Sequence, residues 1–303
     1  MDIVISVDRL PRGGETIPGG AMALFPGGKG ANQACAAAKL AGGACLIAQV
    51  GNDRFGEALL ASIEEAGVDT ALIGASARAS GCASIYVLPD GQNSIVISAG
   101  ANATLDPTTA LSRLETLGSP GFVLSQLEIP VETVEAVLTW ARAHGAVTIL
   151  DPAPARPLPP SLLGTIDFLT PNQSEAATLL GKPCWEIRSF ADAQQAARGL
   201  LAMGPSAVVI KLGALGCVVA TGGMCSSVEG FRVEVVDTTA AGDAFNGAFA
   251  VALADGKPLL EAAAFANAAG AVSVTRNGAQ ASLPAREELE RFIKQAVAVC
   301  VDA

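Results

Sequence analysis

The sequence has a single histidine and few basic residues. Among 303 residues there are 19 Lys and Arg against 29 Asp and Glu, which gives a formal net charge of −10. Nucleic acids and anionic membranes bind clustered basic surfaces, so neither is expected as a partner. The single histidine, His144, argues against Ser-His-Asp, Cys-His and multi-histidine metal sites, since each needs imidazole at a defined place. We expect His144 to cap the end of a helix that Gly145 terminates.

Long apolar runs and paired cysteines are also lacking. No uninterrupted apolar run approaches the roughly 18 residues that a membrane helix requires. The N-terminus has no basic region followed by an apolar stretch, as a signal peptide would. These features lead us to expect a cytoplasmic protein. The seven cysteines include no CxxC pair, which favours reduced, mostly buried thiols over disulfides or a metal site.

Short apolar segments rich in Val, Ile and Leu alternate with longer segments of helical spacing. Such strands suit a parallel sheet that is covered on both faces, and the sequence therefore predicts an α/β fold with a doubly wound, mostly parallel sheet in three layers. In the last helix the apolar positions recur with helical spacing. The predicted strands lie at 44–50, 122–127, 147–150, 168–170 and 207–212. The stripe of the last helix comprises Leu289, Phe292, Ile293, Ala296, Val297 and Cys300.

Two regions interrupt this alternation with antiparallel β signals. Segments 83–88 and 94–98 flank a Pro/Asp/Gly turn, and 3–7 is typical of another short strand. Segments 217–220 and 232–236 predict a second meander. Because no internal repeat or long polar linker is present, residues 1–303 are predicted to form one domain with a small inserted β element.

The first candidate motif, PGGKGANQA, occupies 26–34. Its glycines let the backbone approach a ligand closely, and the helix that follows would direct Lys29 and Asn32 at that ligand. A small polyhydroxy or anionic molecule fits such a place. The motif is not a dinucleotide fingerprint, because position 33 is Gln, and no GK[ST] of a Walker loop occurs. A purely structural turn is the alternative.

The second candidate motif, DTTAAGDAFNG, occupies 237–247 and opens an apolar helix that runs to about Leu253. Backbone N–H groups at the start of this helix would bind an anion. Asp243 in the first turn suits phosphoryl transfer to an alcohol, where a carboxylate accepts the hydroxyl proton while backbone donors hold the phosphate. Alternatively, Asp243 only complements the helix dipole.

The two motifs, in this order and about 210 residues apart, resemble those of the ribokinase (carbohydrate kinase B-type, PfkB) family of sugar kinases. The resemblance implies a ribokinase-like fold with a β-sheet lid formed by about 2–25 and 80–100, and a homodimer through that lid. It also implies transfer of the γ-phosphate of ATP to the 5-hydroxyl of D-ribose. Further matching blocks lie at 100–103, 126–128, 151–155, 170–175, 211–216 and 275–280.

The resemblance also implies roles for individual residues. Asp243 would be the general base, next to an anion hole at Ala240, Ala241 and Gly242. The sugar-binding residues would be Asp2, Gly28, Lys29, Asn32 and Glu128, together with Asp243. The nucleotide-binding residues would be Asn172, Lys211, Gly213, Gly216, Gly242 and Asn267. Some of these residues have a purely structural alternative: Asp2 as a frayed terminal charge, Lys29 and Asn32 as solvent-facing helix residues, and Glu128 as a helix cap.

Two cations follow from the same resemblance. Glu175, three residues after Asn172, would orient Mg²⁺ and phosphate through water, although a capping box is the alternative role of this pair. Potassium would activate the enzyme from a site of hard oxygen ligands near the anion hole. Its residues would be Asp237, Thr239, Val274, Asn277 and Ser282.

This chain departs from the family pattern at two places. Ala240 stands where many members have glycine. The chain starts at Met1 and Asp2, where the last Asp of the family's opening GxxNxD-type segment would fall. We therefore expect a natural product longer by one strand and a turn, on the order of 15 residues.

Several functions stay open within this resemblance. The acceptor sugar could be another pentose, 2-deoxyribose, fructose or a nucleoside. A sugar or nucleotide sensor without catalysis is a different class on the same fold. Asp243 argues against a sensor, because binding alone does not need a base.

Overall fold

The computed structural model of the protein describes residues 1–41 and 43–301, with side chains as far as residue 296. In chain order its strands are β1 (Asp2–Ser6), β2 (Met22–Phe25), β3 (Ala44–Cys45), β4 (Ala48–Gly51), β5 (Val68–Asp69), β6 (Ile73–Ser76), β7 (Cys82–Val87), β8 (Asn93–Ser98), β9 (Phe122–Ser125), β10 (Val147–Leu150), β11 (Phe168–Leu169), β12 (Ala207–Lys211), β13 (Gly216–Thr221) and β14 (Cys225–Glu229). Its α-helices are α1 (Lys29–Ala41), α2 (Arg54–Glu65), α3 (Pro107–Thr116), α4 (Val131–Ala143), α5 (Pro160–Leu163), α6 (Gln173–Leu179), α7 (Phe190–Leu201), α8 (Ala241–Ala254), α9 (Leu259–Ser273) and α10 (Arg286–Val301).

The main sheet has six strands in the order β14-β13-β12-β11-β10-β9. Strands β9 to β12 run parallel, and β13 and β14 continue the sheet antiparallel. Val208 and Ile210 of β12 pack with α4, α6 and α7, whereas Val209 between them packs with α8 and α9. Because successive side chains of a strand point to opposite faces, helices cover both faces of the sheet. The predicted three-layer α/β fold is confirmed.

Two predicted strands are wrong in detail. The segment 44–50 is not one strand, because the chain bends after Cys45 and its two halves pair with different partners, β3 with β5 and β4 with β6. Residues 232–236 form no strand. The partner of β13 is β14, which a tight turn joins directly to it. Beyond Gly230 the chain leaves the sheet, and the N–H of Val236 donates instead to the carbonyl of Val274 at 2.8 Å.

Three smaller expectations can be compared with the structure. His144 caps the end of α4, with Nδ1 2.8 Å from the Trp140 carbonyl, as predicted. The six cysteines with described side chains are free, but only Cys35 and Cys217 are buried, so the prediction of mostly buried thiols is wrong. Val297 and Cys300 of the predicted apolar stripe lie outside the described side chains. Among the described helices, none has both the length and the apolar character needed to cross a membrane.

A second sheet of four strands stands apart from the main one, in the order β2-β1-β7-β8. β1 pairs antiparallel with β2 and parallel with β7. β7 and β8 form a hairpin around residues 88–92, where the N–H of Gly91 donates to the carbonyl of Leu88 at 2.9 Å. The strands indicated by 3–7, 83–88 and 94–98 are therefore present as β1, β7 and β8, and β2 joins them.

The register assigns each residue of this small sheet to a face, because directly opposed residues share one. Ile3 opposes Leu24 and Ser84, and Ser84 opposes Val96, so these four side chains share one face. Asp2 opposes Phe25 and Ala83, and Ala83 opposes Ile97, so these four side chains share the other face. Apolar side chains are exposed on both faces, among them Leu24 at 45%, Val96 at 66% and Ile97 at 59%.

An apolar cavity of about 670 Å³ lies between β4 and β9. Leu46, Ala48 and Val50 line one side of it, and Phe122 and Leu124 line the other. In the described parts of the chain β4 pairs only with β6, and β9 pairs only with β10. One edge of each strand is therefore without a strand partner at this cavity.

Candidate active site

The glycine-rich turn before α1 forms one wall of the candidate site. Gly28 has a φ of +102°, a left-handed backbone that glycine adopts without the steric cost of a Cβ. A Cβ on Gly27 would collide with the carboxylate of Asp2 on β1. Burial raises the pKa of Asp2, although the amino terminus and Lys29 act against the rise. Asp2 is thus held in a strand against the turn, and is not a frayed terminal charge.

Glu128, which follows β9, closes this wall. Its Oε2 accepts a hydrogen bond from the backbone N–H of Lys29 at 2.9 Å. Burial raises the pKa of Glu128, and that hydrogen bond and the charge of Lys29 oppose the rise. Helix α4 begins after Pro130 without a side-chain cap, so Glu128 is not its cap. The structure brings together Asp2, Gly28, Lys29 and Glu128, four of the residues predicted to bind a sugar.

Asp243 is buried in the first turn of α8. Its Oδ2 accepts a hydrogen bond from Nδ2 of Asn32 at 2.9 Å, and its Oδ1 accepts one from Nε2 of Gln33 at 3.0 Å. Burial raises the pKa of Asp243, and Asp151 adds to the rise, whereas Lys29 and the two amide donors lower it. Asn32 is only 5% exposed, so it is not a solvent-facing helix residue. Its amide nitrogen is directed at the predicted base.

The chain turns sharply at Ala240, immediately before α8. With a φ of +59°, Ala240 is the only non-glycine residue with positive φ in the described chain, a conformation that costs a residue with a Cβ about 1–2 kcal/mol. The turn places Gly242 and Asp243 in the first helical turn, where backbone N–H groups have no helix carbonyl and favour anions. The N–H of Ala241 already donates to the carbonyl of Thr238 at 3.3 Å. Gly242 and Asp243 are therefore the better donors for an anion.

Lys211 at the end of β12 forms a buried ion pair with Asp151, which follows β10. Nζ lies 2.9 Å from Oδ1, and the two side chains are 12% and 3% exposed. The same Nζ lies 3.5 Å from where a Cβ on Gly242 would be. A positive charge therefore stands next to the first turn of α8, where it strengthens the attraction for an anion.

Asn172 and Glu175 bond to each other at the start of α6. Glu175 accepts hydrogen bonds from the N–H and Nδ2 of Asn172 at 2.7 and 2.8 Å, and Asn172 accepts one from the N–H of Glu175 at 2.9 Å. The capping box, the alternative role of this pair, is therefore present. The backbone of Asn172 also forms an isolated parallel β-bridge with the backbone of Lys211. Burial raises the pKa of Glu175, and the charge of Lys211 opposes that rise.

Gly213 lies in the turn between β12 and β13, and Gly216 is the first residue of β13; their φ angles are +58° and +100°. A Cβ on Gly216 would collide with the carbonyl of Val228. Asn267 on α9 donates from Nδ2 to the carbonyls of Val228 and Glu229, each at 3.2 Å. Gly216 and Asn267 therefore meet at the end of β14, where Asn267 anchors that strand.

Asp237 organises the loop that leads into α8. Its Oδ1 accepts hydrogen bonds from the N–H and Oγ1 of Thr239 at 2.9 and 2.7 Å, and its Oδ2 accepts one from the N–H of Gly278 at 3.0 Å. Burial acts to raise the pKa of Asp237, but these hydrogen bonds outweigh it and lower the pKa. The carbonyl of Val274 accepts a hydrogen bond from the N–H of Asp237 at 3.2 Å.

The remaining two residues of the predicted cation site lie close by in sequence. Asn277 directly precedes Gly278 in the same turn. Ser282 is buried in the next short helical turn, where its Oγ donates to the carbonyl of Ala279 at 2.9 Å. The structure thus joins Asp237, Thr239 and Val274 by direct contacts, while the Ser282 hydroxyl is already engaged.

Sequence reasoning assigned no role to several polar residues that the structure brings to Asp243. Gln33 contacts it directly, Gln126 donates from Nε2 to Oε1 of Gln33 at 2.6 Å, and Gln280 donates to Asn32 at 3.4 Å. Asp151 accepts a hydrogen bond from Gln33 at 2.9 Å. The sequence held one signal for this group: Asp151 directly follows a parallel strand, and ligands bind at the carboxyl ends of such strands.

Comparisons with known proteins identify the family and the fold. The model of the pfkB family of carbohydrate kinases matches residues 1–286. A ribokinase of Bacillus subtilis is 40% identical, over 97% of this chain and 96% of its own length. A deoxyribokinase of Salmonella typhi is 34% identical, over 97% and 95%.

A solved structure has the same fold. An Arabidopsis thaliana ribokinase complexed with ribose and ATP superposes with a TM-score of 0.88 at 33% identity, covering 97% of this chain and 95% of that one. The fold is therefore ribokinase-like, as the resemblance implied. With a family model across most of the sequence and relatives over nearly its full length, the chain belongs to the pfkB family of carbohydrate kinases.

Proposed function

We propose that this protein is an ATP-dependent ribokinase that converts D-ribose and ATP to D-ribose 5-phosphate and ADP. The observation that carries the proposal is the buried carboxylate of Asp243. It lies in the same helical turn as the N–H of Gly242, and it accepts hydrogen bonds from side chains of α1, the helix that follows the glycine-rich turn. A base and an anion site are thus adjacent. Ribokinases are among the relatives that match nearly the whole chain.

In the reaction, the 5-hydroxyl of ribose gives its proton to Asp243, and its oxygen forms a bond to the γ-phosphorus. The bond from that phosphorus to the bridging oxygen breaks, and ADP leaves with the electron pair. The N–H groups of Gly242 and Asp243 and the ammonium of Lys211 stabilise the charge on the transferring group. Such a site needs no covalent intermediate, because positioning and electrostatics carry phosphoryl transfer.

The sugar is held between the small sheet and the glycine-rich turn. Asp2 and Glu128 accept hydrogen bonds from its hydroxyls, and Lys29 and Asn32 donate to them. Burial lowers the pKa of Lys29, but the charges of nearby carboxylates such as Asp243 outweigh burial and raise it, so Lys29 stays protonated. A site of buried polar groups rejects a sugar that leaves any of them unpaired.

The nucleotide lies on the other side of α8, against Lys211, Asn172 and the glycines of the turn after β12, with Asn267 supporting the end of β14. The described residues contain no group of three or more His, Cys, Asp or Glu side chains placed to hold a metal. This fits Mg²⁺, which keeps several waters and binds mainly through substrate phosphates. Glu175 would reach it through water. When bound, Mg²⁺ neutralises phosphate charge.

Deoxyribose is the leading alternative substrate, since a deoxyribokinase is among the similar proteins. Another pentose, fructose or a nucleoside stays open as well, and so does a sensor that binds without turnover. We propose a cytoplasmic location, because use of ATP suits it and the six cysteines with described side chains are free, as expected in a reducing compartment.

Asp243→Asn should abolish the base while keeping the shape of the site. With ATP, Mg²⁺ and K⁺, the unchanged protein should release ADP faster with ribose than with deoxyribose, fructose or a nucleoside. The variant should lower kcat for ribose at least about 100-fold and leave ribose and ATP binding nearly unchanged. Asp192→Asn, another acid in a first helical turn, is the control. Near-normal turnover by Asp243→Asn would refute the base, and failure of all four acceptors to elicit ADP release would favour the sensor.

We propose that K⁺ binds beside the loop of Asp237, Thr239 and Val274, with Asn277 and Ser282 in the adjoining turns. Replacing K⁺ by tetramethylammonium at constant ionic strength should lower kcat, because this loop sets the anion hole. Asp237→Asn should weaken K⁺ activation, whereas Asp69→Asn, an exposed acid elsewhere, should not. Equal rates in both salts would contradict the site.

We propose that the small sheet is a lid and that two lids pair in a homodimer. An exposed apolar sheet face needs a cover, and a second copy supplies one through a symmetric interface. Of the two apolar faces, the one with Leu24 and Val96 lies opposite Asp2 and is available for a partner.

Val96→Glu should therefore give monomers and weaken ribose binding, because the lid loses its support. Light scattering and ribose titration measure the two effects. Met203→Glu places the same charge at an exposed apolar residue just after α7 and should change neither. A fully active monomer of the unchanged protein would refute the dimer.

We propose that the cavity between β4 and β9 holds one further strand, contributed by sequence upstream of Met1 in a longer natural polypeptide. Two strand edges that have no partner among the described residues face an apolar space there, and Met1 and Asp2 line the same cavity. A short strand would satisfy both edges and fill the space.

Adding the in-frame upstream codons should raise the denaturation midpoint and ribose affinity together. The same extension with proline in the middle of its apolar segment is the control, because proline removes a ladder hydrogen bond. An immediate upstream stop codon, or an extension that leaves stability unchanged, would contradict the added strand.

A further inference from the structure

Gln33 lies between two buried carboxylates. Its Nε2 donates to Oδ2 of Asp151 at 2.9 Å and to Oδ1 of Asp243 at 3.0 Å, and its Oε1 accepts from Gln126 at 2.6 Å. The side chain is 2% exposed. Both amide hydrogens are thus used on carboxylates, and because ionised carboxylates only accept hydrogen bonds, they fix which end of Gln33 is the nitrogen.

The same chain of contacts leads back to the anion hole. Asp151 accepts from Gln33 through Oδ2 and from Nζ of Lys211 through Oδ1. Nζ of Lys211 stands next to Gly242, the residue that directly precedes Asp243. The contacts run from Asp243 through Gln33, Asp151 and Lys211 to Gly242. Because Gly242 and Asp243 are neighbours in the chain, they close a ring that links the proposed base to the proposed phosphate site.

Asp151 lies beside Asp243 in a buried space, and its negative charge raises the pKa of Asp243. Gln33 opposes this rise by donating a hydrogen bond to Asp243, because a hydrogen bond to the charged form of an acid favours that form. Lys211 neutralises Asp151 from the other side. Without this bridge Asp243 would hold its proton to higher pH.

We propose that Gln33 and Asp151 are positioning residues for phosphoryl transfer. Gln33 keeps Asp243 ionised and aimed at the sugar hydroxyl, and Asp151 holds the ammonium of Lys211 at the anion hole. Neither residue needs to touch a reacting atom. The proposal rests on the kinase function proposed above.

Charged groups reach Asp243 from several elements. Lys29 on α1 favours its ionised form, whereas Asp151 after β10 and Glu128 after β9 disfavour it. Lys211 on β12 acts through Asp151. A variant of Gln33 leaves all of these charges in place, so a shift in the titration of Asp243 would report the lost hydrogen bond.

Gln33→Met keeps the length of the side chain and removes both donated hydrogen bonds. The acid limb of the kcat–pH profile should move to higher pH by about one unit, because the carboxylate loses a donor. At the plateau kcat should fall about tenfold or more from misplacement, with KM for ribose nearly unchanged. Thr133→Val, which removes a buried hydrogen bond to Leu105 far from the site, should move neither the limb nor the plateau.

Asp151→Asn gives the opposite sign. It removes a negative charge beside Asp243 and leaves Lys211 unpaired, so the acid limb should move to lower pH, while KM for ATP rises as Lys211 loses its anchor. If Gln33 and Asp151 had only a structural role, the two variants would not move the acid limb in opposite directions. Should Gln33→Met fail to fold, the shift in Asp151→Asn decides alone. An unmoved limb, or shifts of the same sign in both variants, overturns the proposal.

Carboxyl NMR of protein labelled at aspartate separates this inference from the proposed function. The Asp243 signal is the one missing in Asp243→Asn, and its titration needs no substrate. If the pKa of Asp243 shifted in opposite directions in Gln33→Met and Asp151→Asn, the ring of contacts would be supported even if ribose were not the substrate. Unchanged titration alongside normal ribose turnover would overturn the ring and leave the kinase intact.

Discussion

Close packing of α1 against α8 is the contact on which the candidate active site depends. A Cβ on Gly247 of α8 would come within 2.6 Å of Cβ of Ala36 and 2.8 Å of the carbonyl oxygen of Gln33, so the helices approach as only glycine allows. Gly247 lies about one turn after Asp243. The approach lets the consecutive residues Asn32 and Gln33 reach the carboxylate of Asp243. A larger residue in place of Gly247 would separate these groups and leave buried donors and a buried carboxylate without partners.

The electrostatic balance of the site follows from this packing. Asp243 is buried with acids nearby. Burial and Asp151 both raise its pKa, and the charge of Lys29 and the amide donors of Asn32 and Gln33 oppose that rise. Lys29 is shared among Asp243, Asp151, Glu128 and Glu175, and Lys211 pairs with Asp151. Acids outnumber these two lysines. A polyphosphate entering such a site meets net negative charge, which explains why the nucleotide would need its own accompanying cation.

Sequence patterns predicted what depends on local order and missed what depends on distant contacts. The strands at 147–150 and 207–212 are mostly apolar runs, interrupted only by Thr148 and Lys211, and the main sheet buries most of their side chains. Segment 232–236 has equally β-prone residues, but the hairpin of β13 and β14 already occupies that edge of the sheet. The glycine-rich turn and Asp243 could be assigned from their motifs. Gln33 could not be linked to Asp151, because 118 residues separate them and only the packed fold brings them together.

Gly242 and Asp243 are neighbours in the chain, so the spacing of the proposed anion donor and the proposed base is largely fixed by covalent geometry. The left-handed turn at Ala240 sets their direction, at a steric cost that the hydrogen bonds of Asp237 to Thr239 and Gly278 offset. Gly242 and Asp243 must also be held in position relative to groups on other elements. Asn32 and Gln33 on α1 hold Asp243 by hydrogen bonds, and Lys211 on β12 stands next to Gly242. A helix start held in this way from two other elements would keep its place when the proposed sugar and nucleotide displace the surrounding water, which is the preorganisation that phosphoryl transfer requires.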